Sequence, residues 1–431
     1  IRFTIPVRLN QGYMLFRKQY EIFLKNSLDY IQQYWKNRMT LIHMGRLWCK
    51  NIFQNLSLVK ETNTINDIKT SKPVILIGAG ESLEESLSYL KEKRDNLFII
   101  AVDTSVRTLL SNSIPPDLII ILESQHANIY DFYDTRAFSI PVAADLTSSP
   151  EILRKFKGKK YLFLSKFDNC SIIDLLKREN LCPPIIPPLG SVGISGLYIA
   201  SLISNSDVFY TGIDFAFTPD KYHANGSPTH ISMMFNTKRT NPGGFFSVCW
   251  NGKRERITDK TGNHAYTDLV MKSYKETLNS LSDFKKNLFN IGFKGLETSI
   301  QLYDFCKLDE QIEKKQEIIS TLEKLENPSP EYNNKKIKDF LTGQIDILNN
   351  TVEMIVNFIN NQDSKKTQLL NNLNLINYTW IFFPDASITP SLNITFLKRV
   401  LFSASWFINI IENSIKMLDY SSDLSTDKKA F

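Results

Sequence analysis

The chain has 431 residues, 42% of them hydrophobic and 22% charged, with a formal net charge of +6. That is enough apolar material for a large core divided over two or three domains. The charge is too mild and too dispersed for the basic stripe of a nucleic-acid binder, and leaves only a weak pull towards anions.

Residues 1–70 read as helical. Tyr20, Phe23, Leu24, Leu28, Ile31 and Tyr34 recur at helical spacing, as do Leu47, Ile52, Phe53 and Leu56. A polar stretch from Glu61 to Asp67 breaks the pattern and Pro73 follows. Beyond it, Val74–Ile77, Leu97–Val102, Leu118–Leu122, Tyr161–Leu164 and Val208–Tyr210 are short continuous apolar runs, the pattern of strands buried on both faces of a parallel sheet. Helical patterns such as Leu83, Leu87 and Leu90 lie between them. Strand and helix in alternation imply a Rossmann-like, doubly wound α/β domain over residues 71–295, with its ligand at the carboxyl ends of the strands. Within it, Phe245–Trp250, Asn251-Gly252 and Arg254–Thr258 read as a hairpin. Residues 296–431 are helical again. Leu308, Ile312, Ile319, Leu322 and Leu325 form one stripe that stops before Asn327-Pro328, and further apolar helices run through Ile345–Ile359 and Phe396–Ile415.

Cys49, Cys170, Cys182, Cys249 and Cys306 include no C-x-x-C pair, which argues against zinc and a disulfide framework and fits a reducing cytosol. No stretch reaches the ~18 uninterrupted apolar residues of a membrane span. Phe396–Ile411 comes nearest, but carries Lys398 and Arg399, as a buried or partner-facing helix does. The chain opens on Ile-Arg-Phe without an initiator Met, which leaves room for a segment removed upstream.

Three segments carry residues suited to chemistry. Gly78-Ala79-Gly80-Glu81-Ser82 follows the first strand, where glycines admit close backbone approach and the next helix offers free N–H groups to an anion. Leu189-Gly190-Ser191-Val192-Gly193 opens a second such helix. Tyr210-Thr211-Gly212-Ile213-Asp214 ends a strand, ahead of a loop with Tyr222-His223-Ala224-Asn225-Gly226. A transfer to a hydroxyl needs a base near the acceptor, and His has a suitable ordinary pKa. Only five are present: His43, His126, His223, His230 and His264. The absence of any Asp-x-Asp motif favours chemistry in which no divalent ion supports the leaving group.

The order G-x-G-x-S-L, Ser-Val-Gly-Ile-Ser-Gly, Tyr-Thr-Gly-Ile-Asp-Phe resembles the family 42 bacterial sialyltransferases. With Asp220-Lys-Tyr-His-Ala-Asn-Gly and the upstream Leu47-Trp-Cys-Lys-Asn-Ile, the chain looks more closely like the motility accessory factors. The central domain of that family is similar to those sialyltransferases and to the hydroxymethylpterin pyrophosphokinase-like domain. The resemblance covers roughly residues 34–280. It implies a sialyltransferase-like variant of the GT-A fold, between helical regions. It also implies a cytoplasmic, inverting glycosyltransferase that needs neither metal nor cofactor. The donor would be a CMP-linked nonulosonic acid and the acceptor a Ser or Thr hydroxyl of flagellin. Gly78, Gly80 and Ser82 would then meet the phosphate and ribose of CMP. Asp103 and Glu123 fall where the sialyltransferases carry Asn, Ser191 and Gly193 would line the donor pocket, and Asp214 would join the nucleotide contacts. Tyr222 matches a Tyr set against the leaving phosphate. The family's second such Tyr corresponds to Ala216, a departure from the pattern. His223 stands as in the accessory factors, and His264 resembles the sialyltransferase base. Two other readings remain open. One is a pterin-alcohol pyrophosphokinase in which Asp103, Glu123 and Asp214 hold magnesium. The other is a non-catalytic flagellin-binding protein.

Overall fold

The computed structural model describes residues 7, 11–59, 62–132, 136–167, 169–204, 206–219, 221–240, 253–281, 287–313, 330, 332–361, 365–387 and 389–427. The chain forms two compact units: Gln54–Lys166 with Lys177–Ile337, and Ile1–Phe53 with Phe167–Leu176 and Lys338–Phe431.

The strands are β1 (Thr62–Thr64), β2 (Val74–Ile77), β3 (Phe98–Val102), β4 (Leu118–Ile121), β5 (Val142–Asp145), β6 (Lys160–Ser165), β7 (Ile185–Ile186), β8 (Val208–Thr211), β9 (Arg254–Thr258), β10 (His264–Asp268), β11 (Leu288–Asn290) and β12 (Gln301–Leu302). One sheet has the order β1-β6-β5-β4-β3-β2-β8-β11-β12, with β7 beside β6. Its pairings are parallel throughout. All four residues of β2, and all four of β4, are buried, as expected of strands covered on both faces. The five apolar runs are therefore strands and the α/β reading holds.

The helix Leu83–Glu92 carries the chain from β2 to β3. The helix Val192–Ile203, which leads into β8, buries nine of its twelve residues. Gly196 sets its depth: a Cβ there would stand 2.8 Å from Leu76 Cδ1. Strand β9 pairs antiparallel with β10. Their turn is organised by Asp259 Oδ1, which accepts from Thr261 N, Thr261 Oγ1 and Asn263 N. The expected partner segment Phe245–Trp250 and its Asn251-Gly252 turn lie outside the described residues. So do Ile319, Leu322 and Leu325 of the expected C-terminal stripe; its helix is described over Phe305–Glu313.

The other unit is built from the helices Arg17–Asn55, Asn334–Asn361, Lys366–Leu375 and Ile394–Asp427. Its aromatic centre joins Phe53, Tyr378 and Phe407 through edge contacts at 5.3–6.0 Å. Among the described residues, one stretch, Ile394–Asp419, is long and apolar enough to cross a membrane by length and composition. Leu397, Val400, Ala404, Phe407 and Ile411 within it are buried at helical spacing, so one face packs on the unit, while 39% of the apolar window is buried in all. Cys49 Sγ and Cys170 Sγ approach to 3.7 Å without bonding, and Cys182 and Cys306 are also free. The N-terminal stripe is helical as read, but Tyr20, Phe23, Leu28 and Tyr34 on it are exposed.

Candidate functional site at the sheet's switch point

From β2 the chain winds outwards through β3, β4, β5 and β6, then returns through Val192–Ile203 to place β8 on the other side of β2. The order reverses between β2 and β8, and ligands of open α/β sheets bind outside the strand ends at such a point. Here the loops after the two strands are stitched together. Gly78 N donates to Thr211 O and Gly80 N to Gly212 O, both at 2.8 Å.

This stitching changes the meaning of the first glycine loop. A Cβ on Gly80 would lie 2.5 Å from Asp214 Oδ2 and 2.9 Å from Gly212 O, and one on Gly78 would strike Gly212 O. The β8 loop makes a close approach to both glycines. Asp214 is buried and takes Ser82 N at 2.9 Å and Ser82 Oγ at 2.5 Å. Ser82 Oγ in turn accepts from Gly212 N at 2.9 Å. Asp214 is thus the anion at the start of Leu83–Glu92, in the position expected for phosphate. Burial lifts its carboxyl to about 6, while the bonds from Ser82 pull it back. Gly78, Gly80, Ser82 and Asp214 lie together, braced by the bonds from Ser82 to Asp214.

The second helix start is different. Ser191 precedes Val192–Ile203 without a side-chain cap, and its first turn holds no acidic residue. Gly190 takes φ +73 and leaves room for Tyr274: a Cβ there would stand 3.3 Å from the Tyr274 ring. Gly193 packs on Ile213. Burial raises the Tyr274 phenol above its ordinary value, and Tyr222 and Glu123 are close enough to add to the shift. Gly190 is thus in contact with, and Tyr222 and Glu123 within electrostatic reach of, a residue that the sequence did not single out. Tyr274 lies in Met271-Lys-Ser-Tyr on a helix, and only the fold brings it here.

The loop after Asp214 is tied to the start of Leu83–Glu92. Thr218 Oγ1 donates to Glu81, Lys221 Nζ and Asn225 N to Glu84, and Ala224 N to the Ala79 carbonyl. Tyr222 is held between Phe217 and His223, with both ring separations 4.8 Å. Arg254, ion-paired with Asp268, lies 5.7 Å over the Tyr222 ring and keeps a buried Nε without a hydrogen-bond partner among the described residues. Burial pushes the His223 imidazole down to about 4, opposed by its bond to the Ala79 backbone. It is neutral near pH 7. His264 stands exposed at the turn end of β10; Tyr266 and Thr267, further along, are what reach Phe217 and Phe215.

Asp103 ends β3 in a buried corner. Asn128 Nδ2 donates to Asp103 at 2.9 Å and to Asp131 at 2.7 Å. Burial lifts Asp103 to about 6 and Asp131 to about 7. Asp131 and Asn128 were not singled out in the sequence, because their 3-10 turn follows no apolar period. Glu123 is exposed at the end of β4, and Asp214 is engaged by Ser82. The acidic trio named for magnesium does not converge. Among the described residues no three His, Cys, Asp or Glu side chains are grouped to hold a metal ion.

Fold and site define a Rossmann-like α/β protein with an uncapped helix start at the sheet's switch point and Tyr274 against the glycine before it. Residues 48–220 match the family described as 6-hydroxymethylpterin diphosphokinase MptE-like. The match falls on the sheet-bearing segment and agrees with the resemblance to the pterin pyrophosphokinase-like domain. Two proteins of Treponema pallidum (strain Nichols), both described as uncharacterized, are similar. One is 29% identical over 234 residues, 53% of this chain and 41% of its own length. The other is 30% identical over 93 residues, 21% of this chain and 44% of its own. The chain thus spans less than half the length of either relative. Among solved structures, a MAf glycosyltransferase from Magnetospirillum magneticum AMB-1 is similar with a TM-score of 0.47 and 14% identity, over 86% of this chain and 59% of that one.

Proposed function

We propose that this chain is a cytoplasmic glycosyltransferase of the motility accessory factor type. It would move a nonulosonic acid of sialic, pseudaminic or legionaminic class from CMP to Ser or Thr hydroxyls of flagellin. The observation that carries the reading is the uncapped helix start at Ser191–Gly193, with Tyr274 against Gly190 and Tyr222 within its electrostatic reach. A leaving CMP phosphate gathers negative charge as its bond to the anomeric carbon breaks. Free N–H groups at a helix start and protonated phenols stabilise that charge without a metal. Tyr274 thereby offers the second phenol that Ala216 lacks. The acceptor oxygen attacks from the opposite face and inverts the centre, and its proton passes to His223. One nitrogen of that neutral imidazole is bonded to the Ala79 backbone, leaving the other to accept.

The family match over residues 48–220 favours a second reading, pyrophosphoryl transfer from Mg·ATP to a pterin alcohol. The bond from Ser82 to Asp214 weighs against it, because it withdraws one of the three carboxylates. Calorimetry separates the two. We expect saturable CMP binding in excess EDTA, weakened about tenfold or more in Ser191→Ala and in Tyr274→Phe by loss of a charge-assisted hydrogen bond. Binding of Mg·ATP with none of CMP selects the kinase. Binding of neither refutes both readings.

A further inference from the structure

The helical unit carries a cavity that the central site does not use. It has a volume of about 390 Å³, within the size range of small-molecule sites. Three cationic side chains line it: Arg46 from Arg17–Asn55, and Lys398 and Arg399 from Ile394–Asp427. Phe382 and Phe383 form its wall, and Phe402, 73% exposed, stands at its lip.

The wall is fixed before any ligand arrives. Arg38 donates to the carbonyls of Ile381, Phe383 and Ala386, pinning the turn that bears both phenylalanines. Gly45 lets that turn close on the long helix: a Cβ there would stand 3.2 Å from Phe382 Cβ. Arg399 grips Asp385 with two bonds at 2.6 and 2.7 Å and lies 4.2 Å over the Phe383 ring, so its charge is already answered.

The other two cations have no such answer. Arg46 lies 4.1 Å over the Trp406 ring, and its Nε is buried without a hydrogen-bond partner. Among the described residues no carboxylate pairs with Arg46 or Lys398. A guanidinium held by an aromatic plane and left short of an acceptor is arranged to receive one from outside. We propose that this cavity binds a small soluble anion, a carboxylate or phosphate carried on an aromatic or apolar body. The anion would meet Arg46 and Lys398 while the body lies against Phe382, Phe383 and Phe402. The inference is independent of the CMP reading, since it rests on the other unit.

Phenyl phosphate is a suitable probe, with tryptophan fluorescence as the readout because Trp406 lies beneath Arg46. The full chain should bind it saturably, and Lys398→Gln and Arg46→Gln should each weaken binding about tenfold or more. Phe402→Ala should weaken it severalfold, and affinity should fall with added salt. Among the described residues Lys398 holds no ion-pair partner, so its variant tests the charge with the packing intact, and Arg46→Lys should restore part of what Arg46→Gln loses. Absence of saturable binding up to about 10 mM, a range of very weak affinity, overturns the proposal. So does equal affinity in the wild type and Lys398→Gln. If phenyl phosphate fails while phosphatidylserine-containing vesicles bind the wild type and not the variants, the anion belongs to a lipid surface and the soluble ligand is refuted.

Discussion

Replacing Gly80 by Ala tests whether Asp214 or a ligand owns the first helix start. The new methyl would lie 2.5 Å from Asp214 Oδ2, 2.7 Å from its Cγ and 2.9 Å from Gly212 O. None of these is the loose end of a flexible chain, because Asp214 is anchored by two bonds to Ser82. Relief requires Asp214 to leave Ser82 or the β2 and β8 loops to part. Losing a cap of this kind costs about 1–2 kcal/mol, and forcing a methyl into packed surroundings about 1–3 kcal/mol. The sum, roughly 2–5 kcal/mol, lowers the melting temperature of a unit of this size by roughly 5–15 °C. Thermal unfolding followed by circular dichroism at pH 7 measures it. Gly343→Ala is the control: its Cβ meets nothing within 4 Å in a helix interior, so it should be neutral or stabilising by about 0.5–1 kcal/mol. A Gly80→Ala protein that melts with the wild type would mean that Asp214 does not fill this helix start. The first glycine loop would then return as the phosphate site.

Asp131, raised to about 7 from 3.8, binds its proton more tightly in the folded chain than in the unfolded one. Its share of the stability is therefore present below pH 4 and lost as pH rises to 7. Asp131→Asn should melt higher than the wild type at pH 8, by about 1–3 kcal/mol, and flatten that fall; an unchanged pH dependence of melting refutes the burial argument. His223→Ala should keep CMP affinity and lose on the order of 10²-fold or more in transfer rate, with the wild-type acidic limb falling near pH 4. If His264→Ala is the dead variant instead, the exposed histidine of β10 is the base.

What was legible in the sequence follows the physics of burial. Strands such as Leu118–Ile121 are covered on both faces, so a continuous apolar run marks them without any neighbour being known. Val142–Asp145 is as deeply buried, yet its two alanines and terminal Asp carry no such mark. Leu288–Asn290 and Gln301–Leu302 are too short to show a period at all. The Arg254–Thr258 strand was legible, while its pairing with His264–Asp268 was not. The turn between them is made by the Asp259 side chain, and Asn251-Gly252 reads as the stronger signal.

The site divides along the same line. Glycines at 78 and 80 announce that something comes close, but not what. Ser82 and Asp214 are 132 positions apart, and their contact exists only once β8 has settled beside β2. The two loops looked like equal candidates for phosphate because each offers small residues and the free N–H groups of a helix start. The fold breaks that tie through charge. A buried carboxylate at the start of Leu83–Glu92 would repel a second anion and already takes the Ser82 N–H and hydroxyl. The first turn of Val192–Ile203 holds no acidic residue, and the side chain against Gly190 is the Tyr274 phenol, which burial holds in its protonated form, with Glu123 within electrostatic reach. On the proposed reading, a phosphate entering at the switch point would meet the Asp214 carboxylate on the β2 side and the free N–H groups of Ser191–Gly193, with Tyr274 nearby, on the other.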